Sequence, residues 1–169
     1  MATIQELETE LSRIAQLVQE ASATVERDTL VISTPIDLAN EGIDFLQEEI
    51  GPQTYFIADR AYLITSIREV HEKTQAAADG ASIQITKNTG TVAPGSSDTN
   101  LITDIAYTGS ARTDRGFNLK GIAANTVTSG TMTNVVASLT LAAGDRLVWG
   151  ANGTITTTFI TLSTVLRKV

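Results

Sequence analysis

From Tyr55 to Val169 the chain is a succession of short runs in which apolar and polar residues alternate, most of them followed by Gly, Asn, Asp, Pro or Ser. No other feature confines the fold as tightly. Period-two alternation puts every second side chain on one face of a strand, and turn residues after each run reverse the chain. ASIQITKNTGT sets Ile83 and Ile85 against polar neighbours, VAPGSSDTN is turn chemistry, and TGSARTDRG is a polar loop. FNLKGI, NTVTSGTM, NVVASLTLAA, DRLVWG and TITTTFITLSTVLRKV supply further strands. TYFIADRAYLITSIREVHEK mixes helix and strand formers; it reads as one long or two successive strands, with Tyr62, Ile64, Ser66, Arg68 and Val70 on one face. Short strands at regular spacing specify a mainly β domain, a sandwich or jelly roll, and not a parallel α/β sheet.

The N-terminus follows another period. Ile4, Leu7, Leu11, Ile14, Val18, Ala21 and Val25 recur at alternating spacings of three and four. This is a heptad seam with Ile4, Leu11, Val18 and Val25 at a, and Leu7, Ile14 and Ala21 at d. The helix spans roughly 33 Å at 1.5 Å per residue. It either packs on its own domain or forms a short coiled coil joining identical chains. The strict 3.5-residue repeat favours the coil, and a helix this short needs a partner in either case. The Leu11–Ile14 layer, with Leu at a and Ile at d, favours trimers or tetramers over dimers.

A connector follows. After a short strand TLVIS, the stretch TPIDLANEGIDFLQEEIGPQ predicts a second helix, capped by Thr34 with Pro35 at its first position and Asp37 at its positive end. Ile36, Ala39, Ile43, Leu46 and Ile50 form its apolar stripe, and Gly51 and Pro52 stop it. Glu41, Asp44, Glu48 and Glu49 read as its solvated side. The chain thus divides into N-terminal helices and connecting arm, 1–54, and a β domain, 55–169.

Composition narrows the function classes. The 169 residues suffice for one ordinary domain plus extra segments. A net charge of −7 with 12 scattered basic residues argues against nucleic acid or an anionic membrane as partner. The absence of cysteine excludes disulfides and Cys-based metal sites. No apolar run approaches the ~20 residues that span a bilayer. MATIQELETELSRIAQ carries charges where a signal peptide has an apolar stretch, so a soluble, unexported chain is expected.

Residues suited to chemistry are few. The single histidine, His71, lies in IREVHEK and reads as a surface or packing residue. The nucleophile elbow, the P-loop and the dinucleotide fingerprint are all missing from the sequence. No cofactor, no metal and no small-molecule ligand is expected, and no catalytic residue is assigned. Asp98, Asp104 and Asp114 follow no calcium-loop spacing and read as makers of local turns. Asp145 and Arg146 stand side by side near the only tryptophan, Trp149, yet Gly144 before them suits a positive φ. Asn152-Gly153 is a two-residue hairpin signal joining RLVWGA to TITTTF. The segment therefore reads as a sheet corner, with Leu147 and Trp149 on one face and Arg146 free to neutralise an acidic neighbour.

KNTGTVAPG (87–95), NLKGIAANTVTSGTM (118–132), LTLAAGDRLVWGANGT (139–154) and the closing LRKV resemble the β domain of small virion proteins of tailed bacteriophages, the capsid decoration or cement proteins above all. The resemblance covers about two-thirds of the chain, from Ala61 to Val169. It implies a jelly-roll-like domain in a homotrimer seated on the capsid exterior, made in the host cytoplasm and bound to the major capsid protein, where it stabilises the shell. The seam Ile4, Leu7, Leu11, Ile14, Val18, Ala21 and Val25 is then the oligomer or capsid interface. Two other classes stay open: a fibre, spike or baseplate module that stacks host glycans on Trp149 and Tyr107, and a hydrolase using a pair among Asp98, Asp104, Asp114 and Asp145.

Overall fold

The computed structural model describes residues 4–38, 50–72, 81–91, 93, 98–109, 113–153 and 159–169. A helix, α1 (Ile4–Arg27), leads into β1 (Thr29–Asp37), β2 (Ile50–Ile57), β3 (Tyr62–His71) and β4 (Ser82–Asn88). Shorter pieces follow: β5 (Thr99–Asn100), β6 (Ile105–Thr108), β7 (Thr113–Arg115), β8 (Phe117–Asn118) and β9 (Thr126–Ser129). A helical turn, α2 (Val136–Leu139), then β10 (Thr140–Leu141), β11 (Arg146–Asn152) and β12 (Phe159–Lys168) complete the chain.

The strands form two five-stranded antiparallel sheets and a small hairpin, β6–β7. One sheet runs β1-β12-β3-β10, with β9 also on β3; the other runs β2-β11-β4-β5, with β8 also on β4. The first four strands alternate between the sheets, and the last two long strands insert between them, β12 between β1 and β3, β11 between β2 and β4. Ile36, Ile64, Ile67, Ile160, Leu162 and Leu166 from the first sheet meet Ile83, Ile85, Leu147 and Trp149 from the second in one buried cluster. Two sheets sharing a core in this way is the layering of a β-sandwich. One polar bond that joins the sheets runs between the Tyr55 hydroxyl and Thr164 Oγ1 at 3.0 Å. Burial raises the Tyr55 phenol far above its ordinary range, against the opposing effect of that bond.

The predicted second helix does not begin at Thr34. Residues 29–37 are one strand, every residue in register with β12 from Thr29–Arg167 to Asp37–Phe159. The β-branched run of TLVIST favours extended backbone, and Pro35 is tolerated because, among the described residues, β1 pairs on one side only. Ile36 therefore joins the sandwich core. Ile50, Gly51 and Pro52, read as the helix end, belong to β2, whose described pairing is likewise to β11 alone. The middle of that segment, with Ala39, Glu41, Ile43, Asp44, Leu46, Glu48 and Glu49, lies outside the described residues.

Three further corrections concern strand faces and turns. Along β3 the buried residues are Tyr62, Ile64, Ile67, Glu69 and His71, so Arg68 and Val70 are not on the face of Tyr62 and Ile64. A β-bulge causes the switch: Val165 pairs with Ser66 but Leu166 with Ile64, and the extra residue inverts the alternation beyond it. NVVASLTLAA is a helical turn and a two-residue strand, where a single strand was predicted. The Lys87 ammonium holds that turn's end, donating to Thr140 O at 2.6 Å and Ala137 O at 3.3 Å. Finally, Asn152-Gly153 does not join paired neighbours, although Gly153 has φ +85°. β11 lies between β2 and β4, while β12 is in the opposite sheet, so the chain crosses the sandwich there.

Candidate functional site

Helix α1 extends 24 residues, and from Ile4 to Glu20 its side chains are exposed to solvent. Exposure runs from 53% at Ile14 to 77% at Ile4, with Leu7, Leu11 and Val18 between. Ala21 and Val25 continue the same helix, but their side chains lie outside the described residues. The polar flank is satisfied within the helix: Thr9 Oγ1 donates to Gln5 O at 2.8 Å, Gln16 Nε2 to Glu20 Oε1 at 3.0 Å, and Arg13 lies 3.8 Å from Glu10. Leu17, not singled out from the sequence, is 55% exposed and lies three residues after Ile14. Its signal was available: an apolar residue at g, beside Val18 at a, widens the seam in mid-helix. Five large apolar side chains of the seam, with Leu17 beside them, thus have no cover from the described part of their own domain.

The helix is tethered closely. Only Asp28 separates its last residue from the first residue of β1. The Asp28 carbonyl accepts the Lys168 amide at 2.8 Å, which fixes the helix base to the end of β12.

The AAGDR segment is a sheet corner. Gly144 has φ +90°, a conformation that a side chain strains. A Cβ on the facing Gly90 would stand 2.7 Å from Gly144 O, so glycine at position 90 lets the two loops touch. Asp145 Oδ2 accepts the Ala142 amide at 2.9 Å and lies 3.3 Å from Lys87 Nζ, closing the turn and neutralising it. Ala58 and residues 144–145 exchange two backbone bonds, of 2.7 and 2.8 Å, which pin the corner to the end of β2. Arg146 donates to Gly90 O at 3.0 Å. The acid and the base serve the same corner and do not face each other across a cleft.

The other candidate acids are apart and engaged. Asp98 accepts from Thr86 and Asn88, Asp104 from the Thr131 amide at 2.6 Å, and buried Asp114 from Ser82 Oγ at 2.9 Å. Among the described residues, no group of three His, Cys, Asp or Glu converges as a metal site would require. Trp149 is 8% exposed and packs in the core, so it offers no stacking surface. Tyr107 is half-buried, its ring against Gly109.

His71 is not a surface residue. It is fully buried, with Nδ1 2.7 Å from Oε1 of Glu69, itself buried. Both point inward from β3, two residues apart, beyond the bulge. Burial raises the Glu69 carboxyl above its ordinary range, and the charge and hydrogen bond of His71 oppose this. Glu69 and His71 were missed as a pair because, without the bulge, the alternation read from Tyr62 turns both outward.

No protein-family model, no curated protein and no solved structure matches this chain. The functional reading rests on the residues themselves. No helix among the described residues is long and apolar enough to cross a membrane.

Proposed function

We propose that this chain is a structural virion protein of a tailed bacteriophage, which binds the outer capsid surface as a homotrimer and stabilises the shell. One observation carries the reading: the apolar heptad seam of α1 is exposed from Ile4 to Val18. A fully solvated seam of Ile4, Leu7, Leu11, Ile14 and Val18 on an isolated helix is unstable in water, so its occupant comes from another chain. The alternating a/d spacing suits identical helices, and the Leu11–Ile14 layer favours three or four strands. Jelly-roll topology is the finer reading of the body, supported by the paired order β1-β12-β3 over β2-β11-β4 with successive strands alternating between sheets. The partner is the major capsid protein. The net charge of −7 suits basic patches on a shell and keeps trimers apart in solution. A site completed only by the assembled lattice stabilises that lattice by mass action.

The test has two parts. Sedimentation of the purified chain at micromolar concentration gives the mass of three chains on this reading, and a monodisperse monomer overturns it. Mass spectrometry of purified virions then finds the chain at a fixed ratio to the major capsid protein; its absence from virions overturns the capsid assignment.

A further inference from the structure

We infer that the contact between copies does not end with the coil but continues onto the body at the base of α1, where Val31 and Val165 of one copy pack against the same region of the next. This rests on the homotrimer reading above. A closed three-chain assembly of identical subunits has a three-fold rotation axis, so its helices run parallel and all three bodies lie at the same end. Packed helices stand about 8–10 Å apart. The tether of one residue, Asp28, spans at most about 7 Å between the last helical residue and the first of β1. The start of each β1 is therefore held close to the axis and to its two symmetry mates.

The surface at that place is suited to such a contact. Val31 is 57% exposed and pairs across the sheet with half-buried Val165, both on the face away from the core. β1 is an outer strand of its sheet, with no neighbour on its free edge among the described residues. Nothing in the described fold therefore stands between that edge and a neighbouring copy. Val169, 78% exposed, lies at the same end, its amide bonded to Ala61 O at 3.4 Å. An exposed apolar strip at a free edge is a liability in a monomer, and in the trimer it is covered.

The chain contains no cysteine, which makes cross-linking from single sites direct. Val31→Cys and Ile105→Cys are prepared in the full chain; Ile105 is 60% exposed on the hairpin beside the other sheet, so both positions tolerate a small side chain. Each variant is weighed by sedimentation and treated with a short bis-maleimide. The expected result is a three-chain mass for both, with most of Val31→Cys shifted to a two-chain band in denaturing gels and Ile105→Cys unshifted. A three-chain mass with Val31→Cys no more cross-linked than Ile105→Cys overturns the inference and leaves the coil standing. Any other mass removes the three-fold reading and the inference with it.

Discussion

Glu69 and His71 show how one inserted residue decides what a side chain becomes. The bulge at Thr65 turns an acid and a base from solvent into the core, where each satisfies part of the other. Because burial holds the Glu69 carboxyl above its ordinary range, the folded chain keeps that proton at pH values where the unfolded chain has lost it. The associated stability is present below the ordinary carboxylate range and is lost as pH rises through the raised value. Glu69→Gln removes this dependence, so its stability relative to the parent should be more favourable at pH 7 than at pH 4, read from urea midpoints of both chains. Lys87 is the second residue on which local structure turns, since its ammonium joins Asp145 to the carbonyls ending α2. Lys87→Met should cost about 2 kcal/mol in the same assay, between the values for an exposed and a fully buried pair, because both ends keep some contact with water. The corner's geometry was legible from Gly144 and Asp145 alone; its ion pair was not, because Lys87 is brought there by sheet pairing.

At the level of elements, periodicity succeeded where one pattern ran uninterrupted. The three-and-four spacing gives α1, and the alternation around Ile83 and Ile85 gives β4. It failed where two readings share residues: TPIDLAN offers a helix cap and first turn, yet β1 gains nine register partners on β12 by staying extended. Edge position is what admits Pro35, and edge position is a property of the sheet, invisible in a local window. The Val136–Leu139 turn escaped for the same reason. The seam is an element-scale device, so its test is made there: Leu7→Ser, Leu11→Ser and Ile14→Ser combined should convert the three-chain mass to one chain while the thermal unfolding of the β body persists. Loss of the body's transition would mean that the helix packs on its own domain.

For the molecule as a whole, the mainly β class, the helix ahead of it and the two-sheet core follow from the sequence, whereas which strand lies beside which does not. Pairing of β1 with β12 joins residues at opposite ends of the chain, and no local signal encodes that contact. Since the α1 seam from Ile4 to Val18 has no cover among the described residues, helix content should depend on concentration: on dilution the helical circular dichroism falls while the β signal and the body's unfolding midpoint hold. The pairing of Thr29 with Arg167 also has a practical use. A peptide or small domain fused after Val169 emerges beside the foot of the helix, at the same pole as the segment entering β1. Display from that end would crowd the neck of the assembly, so a genetically appended cargo belongs instead on the Lys120–Asn125 loop, whose residues are mostly exposed and stand clear of the junction.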